Sequence, residues 1–282
     1  MSSEKGTQPT PQEQRMLAAW RTFFQEHCKA EFAALSSLED DVWGFEIQWS
    51  DLEGHQGLGE VFMNEMSKCL ESGQIVLEEQ FLHHGLHPRP VIRVVGFSEL
   101  YRYHLVDLRM RDRMRFLRFD AVVHSISRAM GWLKRSGYVC NECGHEWTVE
   151  ERLARERKKA NLCTACLQVC REMRAKGASI DELPNFENVS MDLERNFYED
   201  IQYVELFDPN LLQSEELPDD VPTITAVLTD EYVDRFSPGD CLTVNAAIGV
   251  DHLPSRDYIR DTRRILRLDI HSVEEGFSLH EE

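Results

Sequence analysis

The sequence predicts an α+β chain with a mainly β core, in which a helical N-terminal region precedes a sandwich or barrel of short strands interrupted by a cysteine-bearing insert. Three observations carry this. Apolar residues recur at three- and four-residue spacing through much of residues 12–83. Short β-branched runs between turn residues begin at Val91. Two Cys-x2-Cys pairs stand between the early and late runs.

In the N-terminal region Leu17, Trp20, Phe24, Cys28, Phe32 and Leu35 form an amphipathic stripe that reads as core. Val42, Phe45, Ile47 and Trp49 suggest a short strand within Asp41 to Trp49. Leu58, Val61, Phe62, Met66 and Leu70 return to helical spacing. Gly85 to Pro90, with two prolines, marks a boundary. Strand-like runs follow at Val91–Gly96, Met114–Val123, Ile201–Phe207, Thr223–Leu228, Cys241–Val250 and Arg264–Ile270. Phe236-Ser237-Pro238-Gly239-Asp240 is a tight turn ahead of a strand. No internal repeat of about 20–50 residues is present.

A hydrophobic fraction of 42% and a charged fraction of 29% are ordinary for a soluble protein. No run of about 18 apolar residues is available to span a membrane. Met1 to Gln14 is polar, without the apolar segment of a signal peptide, and reads as a flexible tail. The eight cysteines are therefore expected to be metal ligands and buried thiols in a cytoplasmic protein. A net charge of −19 argues at first against a nucleic-acid partner, but its distribution is uneven. Arg93 to Arg135 carries a local excess of about six positive charges, and Arg256, Arg260, Arg263, Arg264 and Arg267 form a second basic run. Localised arginine surfaces on an acidic body can still hold a phosphate backbone; the bland alternative is that these arginines pair with neighbouring acids.

Cys140-x2-Cys143 and Cys163-x2-Cys166 are separated by nineteen residues. Paired knuckles at this spacing supply four thiolates in a closed tetrahedral shell, which selects a structural zinc ion and leaves no position for a reactive water. Gly144 suits a left-handed turn after the first knuckle, and Trp147 can cover the site. The second knuckle continues as Leu167 rather than glycine, and Cys170 or His145 could compete as a ligand. Cys28, Cys69 and Cys241 read as core residues.

Several phrases in order resemble the N-terminal domain of archaeal minichromosome maintenance (MCM) helicases. Val106-Asp107-Leu108-Arg109 followed by Arg118-Phe119-Asp120-Ala121-Val122-Val123 is similar to the start of the family's barrel. Tyr138-Val139-Cys140-Asn141-Glu142-Cys143 is similar to the start of its zinc ribbon. Ile201 to Glu205, Leu217-Pro218, Val221-Pro222, Thr223 to Asp234 and Pro238 to Val244 follow the family's later strand and turn pattern. The resemblance covers about residues 15 to 276.

It implies a disordered tail (1–14), a helical bundle (15–88), an OB-fold in two parts (89–135 and 181–276) with an inserted zinc ribbon (136–180), and a second tail (277–282). It also implies single- or double-stranded DNA as partner, assembly with copies of itself into a hexamer or double hexamer, and contact with other replication proteins. Val250 to Ile265 would be the hairpin that projects into the ring channel, so that Arg256, Arg260, Arg263 and Arg264 face phosphates, with Lys134 and Arg135 as further contacts. Leu212 to Pro222 would be the loop that communicates with a motor domain. Thr223 stands where the family has an arginine after proline, and Ala246 where its last pattern ends in glycine. No G-x4-G-K-S/T phosphate loop occurs, so this chain by itself is not expected to hydrolyse ATP or unwind DNA. The chain ends near where the family's ATPase module would begin. The leading expectation is thus a ring-forming, zinc-stabilised DNA-binding module. The alternatives are an MCM-like protein-interaction module with weak or no DNA binding, and a metal hydrolase using His83, His84 and His87 with Glu78 and Glu79.

Overall fold

In the computed structural model, Thr10 caps the first helix: its hydroxyl accepts the Glu13 N–H at 3.3 Å, and the Glu13 carboxylate accepts the Thr10 N–H at 2.6 Å. This reciprocal box, with Pro11 just inside the helix, starts α1 (Pro11–His27) where the apolar stripe starts. Met16, Ala19, Trp20, Phe23 and Phe24 are buried. The stripe does not run through one helix, because the backbone leaves helical geometry at Cys28 before α2 (Lys29–Ala34). Leu35 lies outside the described residues, which are 10–34, 42–83, 89–151, 153, 162–212, 220–252, 263–274 and 276. They fall into two compact units, residues 1–128 with 202–282 and residues 129–201. None of the described helices is long and apolar enough to cross a membrane.

In the first unit, β1 (Val42–Gln48) and β2 (Arg89–Val95) pair in parallel, with Phe45 opposite Ile92 and Ile47 opposite Val94. The sequence reading grouped Val91–Gly96 with the barrel strands. The structure corrects this: β2 belongs to a separate two-stranded sheet, and Ile92 and Val94 are buried with Trp20, Phe45 and Phe62. A β-branched run announces a strand but not its neighbour, which is chosen by the apolar face left to cover. Between these strands run α3 (Trp49–Glu53) and α4 (Leu58–His83), the latter kinked at Glu65. Trp49 stacks on Phe97 at 4.9 Å, and Phe62 meets Phe116 edge-on at 5.2 Å. An aromatic cluster thus fills the space that small side chains would leave open.

The remaining elements are β3 (Phe116–Ile126), β4 (Met130–Cys140), β5 (Glu146–Glu150), α5 (Thr164–Ala175), β6 (Val189–Phe207), β7 (Ile224–Thr229), β8 (Cys241–His252) and β9 (Arg264–Glu274). In the first unit β3 pairs with β8, β8 with β9, β9 with β7 and β7 with β6, and the end of β6 returns to β3. The β7–β9 pair is parallel, with Ala226 opposite Leu268. In chain order the strands wrap as first, fourth, fifth, third and second, closing on the first. That is the five-stranded Greek-key barrel of an OB-fold. A bulge between Val123 and Ser125 bends β3 where the barrel closes. Phe119, Ala121, Val123, Leu206, Ala226, Leu228, Val244 and Leu268 fill it. The turn before β8 is held by Gly239 at φ +96°, whose N–H donates to Val123 O at 2.8 Å.

Arg93 joins the helical part of this unit to its barrel. Its guanidinium donates to both Glu231 carboxylate oxygens at 2.7 and 2.8 Å and to His271 O at 2.9 Å, beside Asp230 at 3.6 Å. The Val94 N–H donates to His271 Nε2 at 2.8 Å, so the imidazole is an acceptor and neutral. Burial, and then the Arg93 charge, push His271 down to about 3.

In the second unit, β4 pairs antiparallel with β5 and with residues 189–201 of β6, Tyr138 facing Trp147 on one side and Met191 on the other. The sequence reading contained neither β4 nor β5. Their polar composition, with Lys134, Arg135, Ser136 and Gly137 in one run, hides the strand pattern.

Candidate metal centre

The second unit brings Cys140, Cys143, Cys163 and Cys166 together, with all four sulfurs within 4.8 Å of one another. Cys140 Sγ lies 3.7 Å from Cys166 Sγ, and Cys143 Sγ 3.6 Å from Cys163 Sγ. These separations are far beyond a disulfide of about 2.05 Å. They match the roughly 3.8 Å edge of a tetrahedron whose sulfurs stand about 2.3 Å from a central metal ion. The donor set therefore fits a four-coordinate metal ion.

Each knuckle is made differently. The first is a turn at the end of β4: Gly144 N–H donates to Cys140 O at 2.9 Å, with Gly144 at φ +68° as expected for the left-handed region. The second is the start of α5. Cys163 is its N-cap, and its sulfur accepts the Cys166 N–H at 3.5 Å. A helix start needs no left-handed residue, which explains why Leu167 serves where the first knuckle uses glycine. The positive end of α5 also favours thiolate over thiol at this edge of the site.

Burial pushes the Cys140 thiol up, but the backbone N–H groups of Cys143 and Glu142 outweigh it and bring it down to about 7. Burial raises Cys163 and Cys166, and for Cys166 the neighbouring thiols add to it. Four sulfurs packed this closely cannot all carry charge unless a cation sits among them. Trp147, Ala165, Phe186 and Val189 pack against the cluster. Trp147 is stacked in turn on Tyr138 and His145. His145 thus serves as a ring contact. Cys170 Sγ faces Pro184 O at 3.4 Å and stands outside the group of four.

Sequence reasoning missed the polar clamp on the first knuckle. Asn141 Nδ2 donates to Asn188 Oδ1 and Ser190 Oγ at 2.9 and 2.8 Å, and Asn188 Nδ2 donates to Glu142 Oε1 at 2.8 Å. Nothing local signals this clamp, because Asn188 and Ser190 arrive on a distant stretch of chain.

The basic residues are placed less uniformly. In the second unit Lys134 Nζ lies 2.5 Å from Glu199 and reaches the Trp132 ring at 5.9 Å. Arg135 pairs with Glu150 at 3.3 Å and covers Phe197. In the first unit Arg102 pairs with Glu99 and Asp120, Arg115 with Asp112, and Arg118 with Glu99 and Glu274. Arg267 is buried between Asp251 and Asp269, each at 2.7 Å. Arg263 and Arg264 are exposed at the start of β9, beside the β8–β9 connection. Arg256 and Arg260 lie in residues 253–262, outside the described residues. Of the groups considered for a hydrolase, Glu79 pairs with Arg21, and Glu78 accepts from Gln74. His84 and His87 lie outside the described residues, as does the side chain of His83.

No family model matches the chain, and no curated protein matches it. Among solved structures it is similar to the crystal structure of the N-terminal domain of an archaeal MCM, with a TM-score of 0.68 at 16% identity over 94% of this chain and 100% of the other. With its closed five-stranded barrel, the helical region before it and the cysteine-bearing unit inserted after its first strand, the chain has the fold of an archaeal MCM N-terminal domain.

Proposed function

We propose that the protein is a DNA-binding, ring-forming module of MCM type, in which the four cysteines hold a structural zinc ion and the barrel meets DNA through its β8–β9 connection. The observation that carries this reading is the barrel topology with a cysteine-rich insertion between its first two strands. OB-folds bind oligonucleotides on the face of their second and third strands and through the connections flanking it, including that between the fourth and fifth. Here that connection, between His252 and Arg264, bears Arg256, Arg260 and Arg263, and Arg264 opens β9. Lys134 and Arg135, the further candidate contacts, pair with Glu199 and Glu150. Zinc is favoured because four thiolates in a closed tetrahedron suit a soft, redox-inert ion, and such a site does no chemistry of its own.

The test is fluorescence anisotropy with single- and double-stranded DNA across a salt series, for the wild type and for Arg263→Ala/Arg264→Ala. Affinity falls steeply with salt, and the double variant lowers the slope of log K against log salt by about 1.4 on single strands. Unchanged affinity and slope would remove the hairpin from the interface.

The pairing of arginines between Arg93 and Arg118 favours a second reading, a protein-docking module with weak or no DNA binding. Oligomers that persist while DNA binding is absent at low salt would select it.

A further inference from the structure

Outside the cysteine cluster, one other group of metal-ligating side chains converges among the described residues: Glu26, His27 and His55, whose donor atoms all lie within 4.8 Å of one another. Glu26 and His27 end α1, and His55 sits in the turn between α3 and α4. The geometry points to a second metal site here, taking a divalent first-row ion of the zinc class on two imidazoles and one carboxylate.

Three independent features support it. First, His55 is 8% exposed, yet its Nε2 is buried without a hydrogen-bond partner, and its Nδ1 stands 3.7 Å from Glu26 Oε2, beyond hydrogen-bond reach. The Nδ1 that faces Glu26 thus lacks a direct hydrogen bond to it, and an ion held between the two gives this buried ring an interaction at that nitrogen. Two ligands on one ion with bonds of about 2.0–2.2 Å stand about 3.4 Å apart in a tetrahedron, close to that separation. Second, the ligands are pre-set where that is hardest and free where it is easiest. His55 is held edge-on to the buried Phe23 at 5.4 Å, whereas Glu26 and His27 are exposed and can close the remaining distance.

Third, the surroundings favour a cation. Two of the three donors, Glu26 and His27, lie at the C-terminal end of α1, where helix carbonyls carry partial negative charge. His27 also lines a cavity of about 380 Å³ together with Glu31, Glu46 and Asp51. An acidic, partly enclosed cavity concentrates cations and gives water room to complete the coordination shell. Cys28 lines the same cavity. It stands outside the group of three converging donors. Imidazole and carboxylate with open positions suit zinc, nickel or cobalt better than calcium or magnesium.

The experiment is zinc titration of the full chain with metal content measured after gel filtration, repeated with cobalt as a spectroscopic probe. The wild type holds two equivalents of zinc per chain, and Glu26→Gln/His27→Ala holds one. Both replaced residues are exposed, and an unchanged circular dichroism spectrum confirms that the variant folds. With cobalt, one equivalent gives the intense thiolate charge-transfer band, and the other adds ligand-field absorption without it. The double variant loses only the latter. A single equivalent in the wild type, or two equivalents retained by the double variant, overturns the proposal.

Discussion

Residues 129–201 bury few apolar side chains: among the described residues these are Tyr138, Ile201 and four of the cysteines. The other unit buries two separate clusters, one of Trp20, Phe23, Phe45, Phe62 and their neighbours, the other inside the barrel around Phe119, Leu206 and Val244. The contrast is one of means. A unit that buries so little apolar area is the one whose four cysteines could hold a metal and whose first knuckle carries polar clamps, while the larger unit has hydrophobic burial and a charged network inside it.

Metal removal is the sharpest way to break this comparison. Chelation, or Cys163→Ser, is expected to unfold residues 129–201 while β3 and β9 stay protected, as read by hydrogen exchange. Structural zinc contributes about 10–16 kcal/mol to small domains of this kind, more than a unit with so little core can replace. Equal loss of protection in both units would show that the barrel also depends on the metal.

Within the larger unit, Arg93→Ala leaves the carboxylates of Glu231 and Asp230 without their buried cation. The expected loss is about 3–5 kcal/mol in chemical denaturation. A loss under about 1 kcal/mol would mean that the network is neutral and that apolar burial alone holds the helical part to the barrel.

A smaller effect concerns His271, held near 3 in the folded protein against 6.5 when free. Its folded value is depressed, so the unfolded chain binds the extra proton as pH falls. The stability contribution is fully present above about pH 6.5 and drains away from there toward pH 3. Between pH 6.5 and 5, before most carboxylates titrate, the loss is about 2 kcal/mol. Urea denaturation across that window measures it, and His271→Gln should flatten the slope. A slope that persists in the variant would place the titration on another group.

Local patterns were legible where the physical cause is itself local. The two knuckles, the Pro238-Gly239-Asp240 turn and the runs that became β3, β7, β8 and β9 all lie in short stretches with strong turn or strand chemistry. Patterns failed where partners come from afar. The Val91 run joined β1 instead of the barrel. The first part of β6, together with β4 and β5, carried too many polar residues to show alternation. The arginine run from Arg93 left a basic surface and pairing with neighbouring acids both open; Glu99 and Asp120 meet it from within the run, and Glu231 and Glu274 from distant parts of the chain.

The sequence by itself determined the cysteine set and the order of helical, strand and insert regions, because ligand spacing and periodicity are properties of neighbouring residues. Only the tertiary structure decided which sulfurs converge, leaving Cys170 against Pro184 O and His145 against Trp147. Only it decided that the barrel closes as first, fourth, fifth, third and second strand, that Arg93 and Arg267 are interior charges, and that His55 meets Glu26 and His27. The physical reason is common to all of these. Closure, ion pairing and ligation depend on distances across space, which the packing of apolar faces sets and which separation along the chain does not record.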